Sequence, residues 1–496
     1  LTGVMFATIP KGFFPQQDTG YIYGFAQAAQ DTSFKSMNHY MLQLADVLRK
    51  DKDIYAFGMS SSQTQFNTCT FYISLRSKDK GRTDTPDQVI RRLKLELAKV
   101  PDATLFMQPG QDINVGGRLS RTQYQYTLTD SNLDELNQWA PRMLESFRHL
   151  PQLTDVASDQ QSDAPAARLT IDRARASSFG ITPAMIDDTI YDAIGQRQVA
   201  QYFTQLNSYH VVLEATPALQ ADPSLFSKLY VTSPINNRQI PLSAFVHVDT
   251  SKTGYLAINH QGQFPAVTLS FNLAAGVSLG QAVEAINAAK TRLGAPATLL
   301  GSFQGTAKVF GESLSTQPYL IAAALVAVYI VLGLLYESYI HPITILSTLP
   351  SAGLGALLIL RAGGYDLTVI ALIGIILLIG IVKKNGIMMV DFALHAEREK
   401  GMSPQEAIYQ ACLLRFRPIM MTTMCAILSG LPLMLGHGQG SELRRPLGYA
   451  MVGGLVVSQM LTLFTTPVVY LYLDRAHYWY MRRKEARAAR RKEAQA

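Results

Sequence analysis

Residues 379–392 read IGIVKKNGIMMVDF, at the end of a long apolar run that begins at Leu367. Two adjacent lysines and an asparagine interrupt the run, and the sequence then becomes hydrophobic again. From Leu367 to Val382 a helix spans about 24 Å, which nearly crosses the roughly 30 Å of bilayer hydrocarbon. Lys383 and Lys384 therefore either end a membrane helix and extend their ammonium groups to its surface, or carry charge into the bilayer.

The residues after the lysines favour a longer helix, because GIMMVDFAL is apolar and has one glycine as its only turn signal. A helix continued to Leu394 is about 42 Å long, and the lysines then lie well inside it. Their side chains point about 100° apart around the axis. Each shares a stripe with other residues: Lys384 with Gly380, Leu377, Met388 and Asp391, and Lys383 with Ile379, Ile387 and Val390. On these residues alone, snorkelling to the membrane surface is the simpler interpretation.

Hydropathy divides the 496 residues into a polar region, 20–315, and an apolar region that ends near Leu473. A spanning helix needs about 20 apolar residues. The apolar region contains five such segments: 318–336, 342–360, 367–392, 417–435 and 446–473. The C-terminal tail and the loop between the third and fourth spans, taken to Arg417, together carry twelve Lys and Arg residues. The loops on the opposite side of the membrane carry three, so the positive-inside rule predicts a cytoplasmic tail. Residues 10–317 are then expected outside the cytoplasm.

Composition argues against several classes of protein. The formal net charge of +7 is densest in the juxtamembrane tail, which indicates anionic lipid rather than nucleic acid as its partner. The three cysteines offer no plausible disulfide framework, and the nine histidines include no pair at ligand spacing, so no metal site is expected. No nucleophile–base pairing indicates an enzyme.

The loop before the fourth span contains a helix start. Ser403 to Glu406 read SPQE, a capping box with proline at the first helical position. The hydrophobic face of the following AIYQACLL predicts a helix on the membrane surface, or equally an ordinary connecting helix.

The polar region repeats one plan of strand, amphipathic helix and strand. YIYGFAQA, YQYTLTD and AVTLSFNLA each begin such a unit, and FYISLRS begins a second half for the first. The pattern predicts α+β sandwiches with split βαβ connections. Residues 173–254 differ, because they read as two hairpins that turn near Leu206 and at Asn236-Asn237. This predicts an inserted, mainly β domain, which either docks to another chain or forms a lid.

Aromatic residues alternate along two predicted strands. Tyr124 and Tyr126 are expected on one face, and so are Tyr55 and Phe57. Aromatic walls with few charges suit amphipathic ligands, although core packing is the more frequent reason for any one of them.

The fourth span adds polar residues to those of the third. Arg415 and Thr422 are seven residues apart, on one face of a continuous helix. With Lys384 and Asn385 they form a predicted polar seam. No carboxylate stands at mid-depth in the five spans, so Lys384 has no evident counter-ion in this chain.

Several long motifs resemble RND multidrug efflux pumps of the HAE type. They are IPKGFFPQQDTGY, YESYIHPITILSTLPSAG, GIVKKNGIMMVDFA, LLRFRPIMMTT and ELRRPLG with MVGGLVVSQMLTLFTTPVVYLYLDR. The nearest group is the MdtB/MdtC branch, and RTQYQYTL, FGITPAMI, AIGQRQVAQYFTQ and INHQGQFPAVTLSFN lean towards MdtB. The resemblance covers essentially the whole chain and corresponds to the C-terminal half of such a pump.

The resemblance implies a fold and its domains: an α-helical membrane bundle plus α+β periplasmic porter subdomains, built as split βαβ sandwiches, with an inserted β-rich docking domain. The expected domains are the end of a transmembrane helix (1–9), a first porter subdomain with linker (10–116), a second porter subdomain (117–172 and 255–305), a docking subdomain (173–254), five transmembrane helices (318–473) and a basic tail (474–496).

The resemblance also implies site residues. Lys384, Asn385, Arg415 and Thr422 match the proton relay, in which the lysine pairs with two aspartates of the absent first half. Protonation of those aspartates breaks the pairs and drives drug/proton antiport. Residues that match or stand at the substrate pocket are Tyr55, Phe57, Ser60, Ser62, Tyr124 and Tyr126. The two serines replace the aromatic residues of better-known pumps, so the usual aromatic trap is not expected.

The implied partners are the N-terminal half with its aspartates, a homo- or heterotrimer, a periplasmic adaptor, an outer-membrane channel and the lipid bilayer of the bacterial inner membrane. The proton gradient is the energy source, and no cofactor is expected. Two alternatives remain. A metal-exporting relative would show clustered periplasmic methionines, whereas these look dispersed: Met37, Met41, Met59, Met107, Met143 and Met185. A non-transporting receptor or assembly component would lack the polar seam.

Overall fold

The computed structural model describes residues 1–62, 65–113, 120–220, 222, 224–438 and 440–493. Its contacts form two compact units, one of residues 1–160 with 259–496 and one of residues 161–258. The first short helix, α1 (Thr2–Thr8), packs on the helical bundle, where the Thr2 hydroxyl donates to the Pro350 carbonyl at 2.9 Å. Residues 63–64, which directly follow the predicted pocket residue Ser62, and residues 114–119 lie outside the described residues.

The first sheet is a split βαβ sandwich. Its elements are β1 (Tyr21–Ala28), α2 (Phe34–Arg49), β2 (Ile54–Ser61), β3 (Thr68–Leu75), α3 (Pro86–Leu97) and β4 (Ala103–Pro109). The strands lie antiparallel in the order β2-β3-β1-β4. Alternation places Ile22, Phe71 and Ile73 on the face that α2 and α3 cover, and all three are fully buried. The Thr85 capping box with Pro86 begins α3.

A second sheet begins with β5 (Tyr124–Thr129), α4 (Leu133–Arg148) and β6 (Leu153–Ser158). After β6 the chain enters the second compact unit, whose elements are β7 (Ala164–Ile171), α5 (Arg173–Ser178), α6 (Pro183–Ile194), β8 (Arg197–Phe203), β9 (Ser208–Leu213), α7 (Pro217–Gln220), α8 (Leu225–Lys228), β10 (Tyr230–Thr232), β11 (Gln239–Pro241) and β12 (Val246–Gly254).

The second unit pairs β7 with β12, β8 with β9 and β10 with β11. Both predicted hairpins are present, with turns between Phe203 and Ser208 and between Thr232 and Gln239. The unit is nevertheless mixed rather than mainly β. Two of the missed helices begin at side-chain N-caps. Asp172 caps α5 by accepting from the Arg175 amide, and Thr182, directly before Pro183, caps α6 by accepting from the Met185 amide.

The chain returns to the second sheet with β13 (His260–Gln261), β14 (Phe264–Leu273), α9 (Leu279–Leu293) and β15 (Leu300–Gln304). β14 lies between β5 and β6, and β15 lies on the other side of β5. The order β6-β14-β5-β15 therefore repeats the topology of the first sheet, with the second compact unit inserted between the second and third strands.

The helical bundle contains α10 (Thr306–Tyr336), α11 (His341–Leu346), α12 (Leu349–Ala362), α13 (Val369–Lys400), α14 (Pro404–Met434) and α15 (Ser441–Glu493). Among the described residues five helical segments are long and apolar enough to cross a membrane, with α11 and α12 together as one. They correspond to the five predicted spans. The Ser403 cap is present, since its hydroxyl accepts from the Glu406 amide, but the helix it starts is α14 itself. The helix predicted in this loop, on the membrane surface or as a connection, is therefore continuous with the fourth span, because Pro418 does not end α14.

Candidate functional site

The lysine pair lies inside one continuous helix. Thr368 caps α13 by accepting from the Ala371 amide at 3.2 Å, and Gly401 ends it with φ +61°. All 32 residues from Val369 to Lys400 are helical, so the lysines occupy its middle. Of the two interpretations of the sequence, the one in which the helix ends at the lysines is wrong.

The two lysines have different environments. Lys383 is buried, with 4% of its surface exposed, whereas Lys384 lies on an exposed face of α13. That face also carries Leu377, which is 46% exposed, and Asp391. Among the described residues, no hydrogen bond or ion pair involves either ammonium group.

Asn385 belongs to a buried cluster with Thr423 of α14 and Gln459 of α15. Its Nδ2 donates to Thr423 Oγ1 at 3.0 Å and to Gln459 Oε1 at 3.1 Å. Thr423 Oγ1 in turn donates to Gln459 Oε1 at 2.8 Å. All three are buried, so three helices are joined by hydrogen bonds at the level of the lysines. Gln459 was missed, although an amide within GGLVVSQMLTLF is a signal in a membrane span.

The other two predicted relay residues do not join this cluster directly. Thr422 is half-buried, and its hydroxyl donates to the Ile419 carbonyl of its own helix at 3.2 Å. The Arg415 guanidinium lies 4.9 Å from the centroid of the Phe392 ring, and its buried Nε has no partner among the described residues. The hydroxyl of α14 that reaches α13 is thus that of Thr423, one residue after the predicted Thr422.

A cavity of about 380 Å³ lies beside the two sheets. Its aromatic lining consists of Phe13, Phe14, Tyr23, Tyr72 and Tyr124, and its amide lining of Gln16, Gln108, Gln111, Gln123 and Gln125. Its remaining described lining residues are also uncharged. Such a lining of rings and amides suits an amphipathic compound that offers both apolar surface and hydrogen-bonding groups.

The predicted pocket residues are not brought together around this cavity. Tyr124 lines it and accepts a hydrogen bond from Gln16 Nε2 at 3.5 Å. Tyr126 lies in the core of the second sheet, with its ring centroid 5.6 Å from that of Phe147 and 4.9 Å from that of Phe303. Burial raises the pKa of Tyr126 to about 12. For Tyr126, core packing is the role that its surroundings give.

The other four predicted pocket residues belong to β2, an edge strand of the first sheet, or come directly after it. A register shift between Ile54 and Ala56 separates Tyr55 from Phe57. Phe57 packs against the core beneath the sheet, whereas Tyr55 is 69% exposed, with the Lys80 ammonium 6.0 Å from its ring centroid. Ser60 is exposed and Ser62 half-buried. Tyr55 and Phe57 therefore do not form one aromatic wall.

The segment around Asp18, which follows the cavity residue Gln16, is held by a buried ion pair with Arg82. Arg82 Nη2 donates to Asp18 Oδ1 at 2.7 Å, and Lys78 Nζ lies 2.9 Å from the other carboxylate oxygen. Arg82 also donates to the carbonyls of Arg76 and Asp84, both at 2.7 Å. Burial raises the pKa of Asp18, but the hydrogen bonds and charges of Arg82 and Lys78 outweigh it, so the pKa lies below its usual value.

Residues 1–474 match the family model for the AcrB/AcrD/AcrF family. The chain belongs to this family of RND transporters. Two solved structures are similar, both of a heavy metal efflux pump. Crystal form II has 23% identity, a TM-score of 0.85 and coverage of 96% of this chain and 49% of the pump. Crystal form I has 22% identity, a TM-score of 0.82 and coverage of 95% and 48%.

At this identity the two structures show a shared fold. The chain spans about half the length of the structures it matches. AcrB/AcrD/AcrF membership and five apolar helices support a protein of the inner membrane, and the family consists of transporters rather than enzymes.

Proposed function

We propose that this chain is the C-terminal half of a proton-driven multidrug efflux pump of the MdtB/MdtC branch, closest to MdtB. In this proposal the pump exports amphipathic compounds from the periplasmic side of the inner membrane in exchange for protons. Residues 10–317 lie in the periplasm and the C-terminus in the cytoplasm. The AcrB/AcrD/AcrF assignment, the two sandwich sheets and the polar residues of the bundle support it.

The observation that carries the proposal is the position of Lys384. It is exposed in the middle of α13, on a face with Leu377 and Asp391, at a depth where an unpaired ammonium costs at least a few kcal/mol. We infer that this face packs against a first half of the pump, whose carboxylates pair with Lys384. Protonation of those carboxylates breaks the pair, which makes Lys384 a switch driven by protons.

In the proposed relay, Asn385, Arg415 and Thr422 support Lys384 in different ways. Asn385 ties its helix to α14 and α15 through Thr423 and Gln459. Arg415 and Thr422 lie on α14 with donors that a first half, or water, can engage. No cofactor or resident metal is required, because the proton gradient supplies the energy.

The cavity supports amphipathic organic compounds as substrates. Its rings provide apolar contact and its glutamine amides provide donors and acceptors, as expected for ligands without a net charge. Tyr124 is the predicted pocket residue that the proposal keeps there. In the proposal, substrate contacts at Tyr55, Phe57, Ser60 and Ser62 require a second surface that the first half of the pump supplies.

Metal export is the second candidate, because both similar structures are heavy metal efflux pumps. The six periplasmic methionines weigh against it. Met143 and Met185 lie in two different cores. The other four, Met37, Met41, Met59 and Met107, pack between the first sheet and its helices, away from the cavity. Thioethers in such a core fill apolar space.

The proposed assembly contains the N-terminal half, a homo- or heterotrimer, a periplasmic adaptor and an outer-membrane channel. The exposed hairpin of β8 and β9 suits contact with another chain, since Phe203 is 77% and Leu206 93% exposed. A non-transporting receptor or assembly component remains the alternative to a pump.

The test uses the complete pump in cells that lack other efflux systems. Lys384→Ala is compared with Lys400→Ala, which removes a lysine from the end of the same helix. At equal expression, Lys384→Ala should abolish drug resistance and Lys400→Ala should retain it. Resistance that persists in Lys384→Ala contradicts the proposed switch, and a wild-type pump that exports nothing favours the receptor alternative.

The cavity has its own test. Tyr23→Ala removes a lining ring, whereas Tyr21→Ala removes an exposed ring of the same strand outside the lining. Binding of a fluorescent amphipathic dye to the purified pump should weaken for Tyr23→Ala and not for Tyr21→Ala. Equal affinities for the two variants and the wild type contradict the cavity as a substrate site.

A further inference from the structure

A polar stripe runs down the buried side of α15. Ser458, Thr462, Thr466 and Tyr470 follow one another at four-residue spacing, and each is 2% exposed or less. Residues four apart lie on one helix face, so the stripe extends about 18 Å along the axis. Interfaces between membrane helices are enriched in Ser and Thr, whose hydroxyls can form hydrogen bonds across the helices. Here four consecutive turns of one helix carry an oxygen on the same buried face.

The register of α13 beside α15 places this stripe next to the lysine helix. Three contacts join α13 to α15. A Cβ added at Gly454 of α15 would meet Leu378 of α13. Asn385 of α13 donates a hydrogen bond to Gln459 of α15, and Glu397 of α13 accepts one from Tyr470 of α15. In these three contacts the paired positions differ by 76, 74 and 73 residues, so the two helices run parallel and in register. Lys383 therefore lies at the level of Ser458, and Glu397 at the level of Tyr470.

The other wall of this region comes from α11 and the turn that follows it. A Cβ added at Gly386 would lie 3.6 Å from Ile345 Cγ2 and 3.9 Å from Thr348 Cγ2. Gly386 is one helical turn from Lys383, so the face of α13 with the buried lysine turns towards Thr348. The buried hydroxyls of Thr344 and Thr348 donate to carbonyls of their own segment, Ile340 at 3.4 Å and Ile345 at 2.8 Å.

One hydroxyl of the stripe has no partner. Ser458 and Thr462 share a hydrogen bond of 3.2 Å between their oxygens, but the buried Thr466 Oγ1 has no partner among the described residues. A buried hydroxyl left unpaired costs about 1–3 kcal/mol. Such groups in native proteins are normally satisfied by internal water, which a polar site with several partners can hold.

The stripe ends at an acid. Tyr470 Oη donates to Glu397 Oε1 at 2.7 Å, and the His341 ring stacks on Tyr470 with centroids 6.0 Å apart. The titratable and charged groups around the region lie on four elements: Lys384, Asp391 and Glu397 on α13, His341 on α11, Arg415 on α14, and Tyr470 and Asp474 on α15.

We propose that Lys383, the hydroxyls of Ser458, Thr462 and Thr466, and Glu397 form a proton path within this half of the pump, completed by water at Thr466. The path leads from the buried lysine to the end of the bundle that holds Glu397, the cytoplasmic end in the proposed orientation. This inference rests on the proposed proton-driven function. It assigns to Lys383 a role separate from the Lys384 switch, since the two lysines lie on different faces of α13.

The transfer balances with water as the proton source. The Lys383 ammonium gives up one proton and becomes an amine, which removes the cost of a buried charge without a partner, and the amine then takes up a proton from water on the opposite side of the bundle. Each hydroxyl or water accepts a proton on its oxygen and passes its own hydrogen to the next acceptor, and its O–H group then rotates back before the next transfer. The proton reaches the Glu397 carboxylate and leaves it for the water at the end of the bundle.

The experiment compares two variants of the complete pump in proteoliposomes. Thr462→Val with Thr466→Val removes two hydroxyls of the stripe with little change in shape. Thr465→Val, on a neighbouring face of the same helix, is the matched control. Drug-dependent proton movement is followed with a pH-sensitive dye enclosed in the vesicles, drug binding by fluorescence polarisation, and stability by thermal unfolding.

For the double variant we expect proton movement to fall about tenfold or more, since a positioned proton-transfer group contributes at least that much to a rate. Drug binding should be unchanged. The melting temperature should change little, because the variant removes an unpaired hydroxyl at Thr466 but also the hydroxyl of Thr462 that pairs with Ser458. A purely structural stripe predicts the same melting result with unchanged proton movement, and that outcome overturns the proposal.

Two further results separate this inference from the proposed function. Lys383→Met should reduce proton movement as strongly as the double variant does. Unchanged drug binding by Lys383→Met is the check that this variant is folded. If Lys383→Met and the double variant both move protons at the wild-type rate while Lys384→Ala does not, the path is refuted and the pump mechanism stands. If the wild type itself moves no protons with drug, the proposed function fails and the path fails with it.

Discussion

Replacing Gln459 by leucine should reduce the stability of the helical bundle by about 2 kcal/mol. The Gln459 carbonyl accepts from Asn385 Nδ2 and Thr423 Oγ1 at 3.1 and 2.8 Å, and its Nε2 lies 3.3 Å from the Met420 sulfur. Hydrogen bonds between membrane helices contribute about 0.6 kcal/mol each on average, so three give nearly 2 kcal/mol. The loss is larger if the donors left behind find no water, since each orphaned donor costs about 1–3 kcal/mol.

The assay is equilibrium unfolding of the complete transporter in mixed detergent micelles, with Met460→Leu as control. Met460 is 66% exposed and adjacent to Gln459, so this variant tests whether any change at this depth of α15 is destabilising. Asn385→Leu and the double variant complete a thermodynamic cycle. Because Asn385 and Gln459 share a hydrogen bond, their effects should not add, with a coupling energy of about 0.5–1 kcal/mol.

Two results would refute this reasoning. A loss for Gln459→Leu no greater than that for Met460→Leu would mean that the cluster does not stabilise the bundle. If the losses for Asn385→Leu and Gln459→Leu add, the coupling energy between the two amides is zero. The hydrogen bond between them would then contribute nothing to the stability of the bundle.

Three other predictions concern residues of the polar region and of the starts of α10 and α15. Asp18→Asn leaves the Arg82 guanidinium buried without its carboxylate and should lower the free energy of unfolding by about 3–5 kcal/mol. The loss should be seen as faster amide hydrogen exchange over residues 76–84. Glu442 lies 3.7 Å from the exposed Lys78, so Glu442→Gln should lower the free energy of unfolding by at most about 1 kcal/mol. The pKa of Asp18 is lower in the folded protein than in the unfolded chain, where it is about 3.9. The ionised Asp18 therefore stabilises the fold fully above that unfolded pKa, and this stabilisation is lost as the pH falls through the lowered pKa. The free energies of unfolding of the wild type and Asp18→Asn should thus converge in acid, and values that stay apart would contradict the ion pair. Gly301→Ala places a Cβ on the Tyr126 phenol and should cost about 1–3 kcal/mol, while Gly311→Ala in α10 meets nothing within 4 Å and should be neutral or stabilising.

The sequence was sufficient for the features that periodicity controls. Alternating strands and amphipathic helices predicted both split βαβ sheets, because a one-residue shift would turn their buried faces to solvent. The length of apolar runs predicted five spans, and the pattern after Lys384 indicated a helix that passes the lysines. These features depend on local spacing, which the sequence states directly.

Contacts between elements could not be read in the same way. Thr422 and Thr423 point about 100° apart, and only the packing of α14 on α13 decides which of them reaches Asn385. Likewise, alternation placed Tyr55 with Phe57, but a register shift in β2 separates them. For Tyr126 the alternation left both a pocket and the more frequent core role open, and its contact with Phe147 depends on where α4 crosses the sheet.

Two of the three helices that carry the buried cluster of Asn385, Thr423 and Gln459 are attached to the sheet region by different kinds of interaction. The start of α13 is held through the backbone: the Leu367 amide donates to the Pro10 carbonyl at 2.8 Å and the Val369 amide to the Phe13 carbonyl at 3.1 Å. The start of α15 approaches the first sheet through the Lys78–Glu442 pair at 3.7 Å, which salt screens. Backbone hydrogen bonds do not depend on ionic strength, whereas the ion pair weakens as salt is added. Of the two attachments, that of α13 therefore persists at high salt, and it ends at Phe13, a residue of the cavity lining.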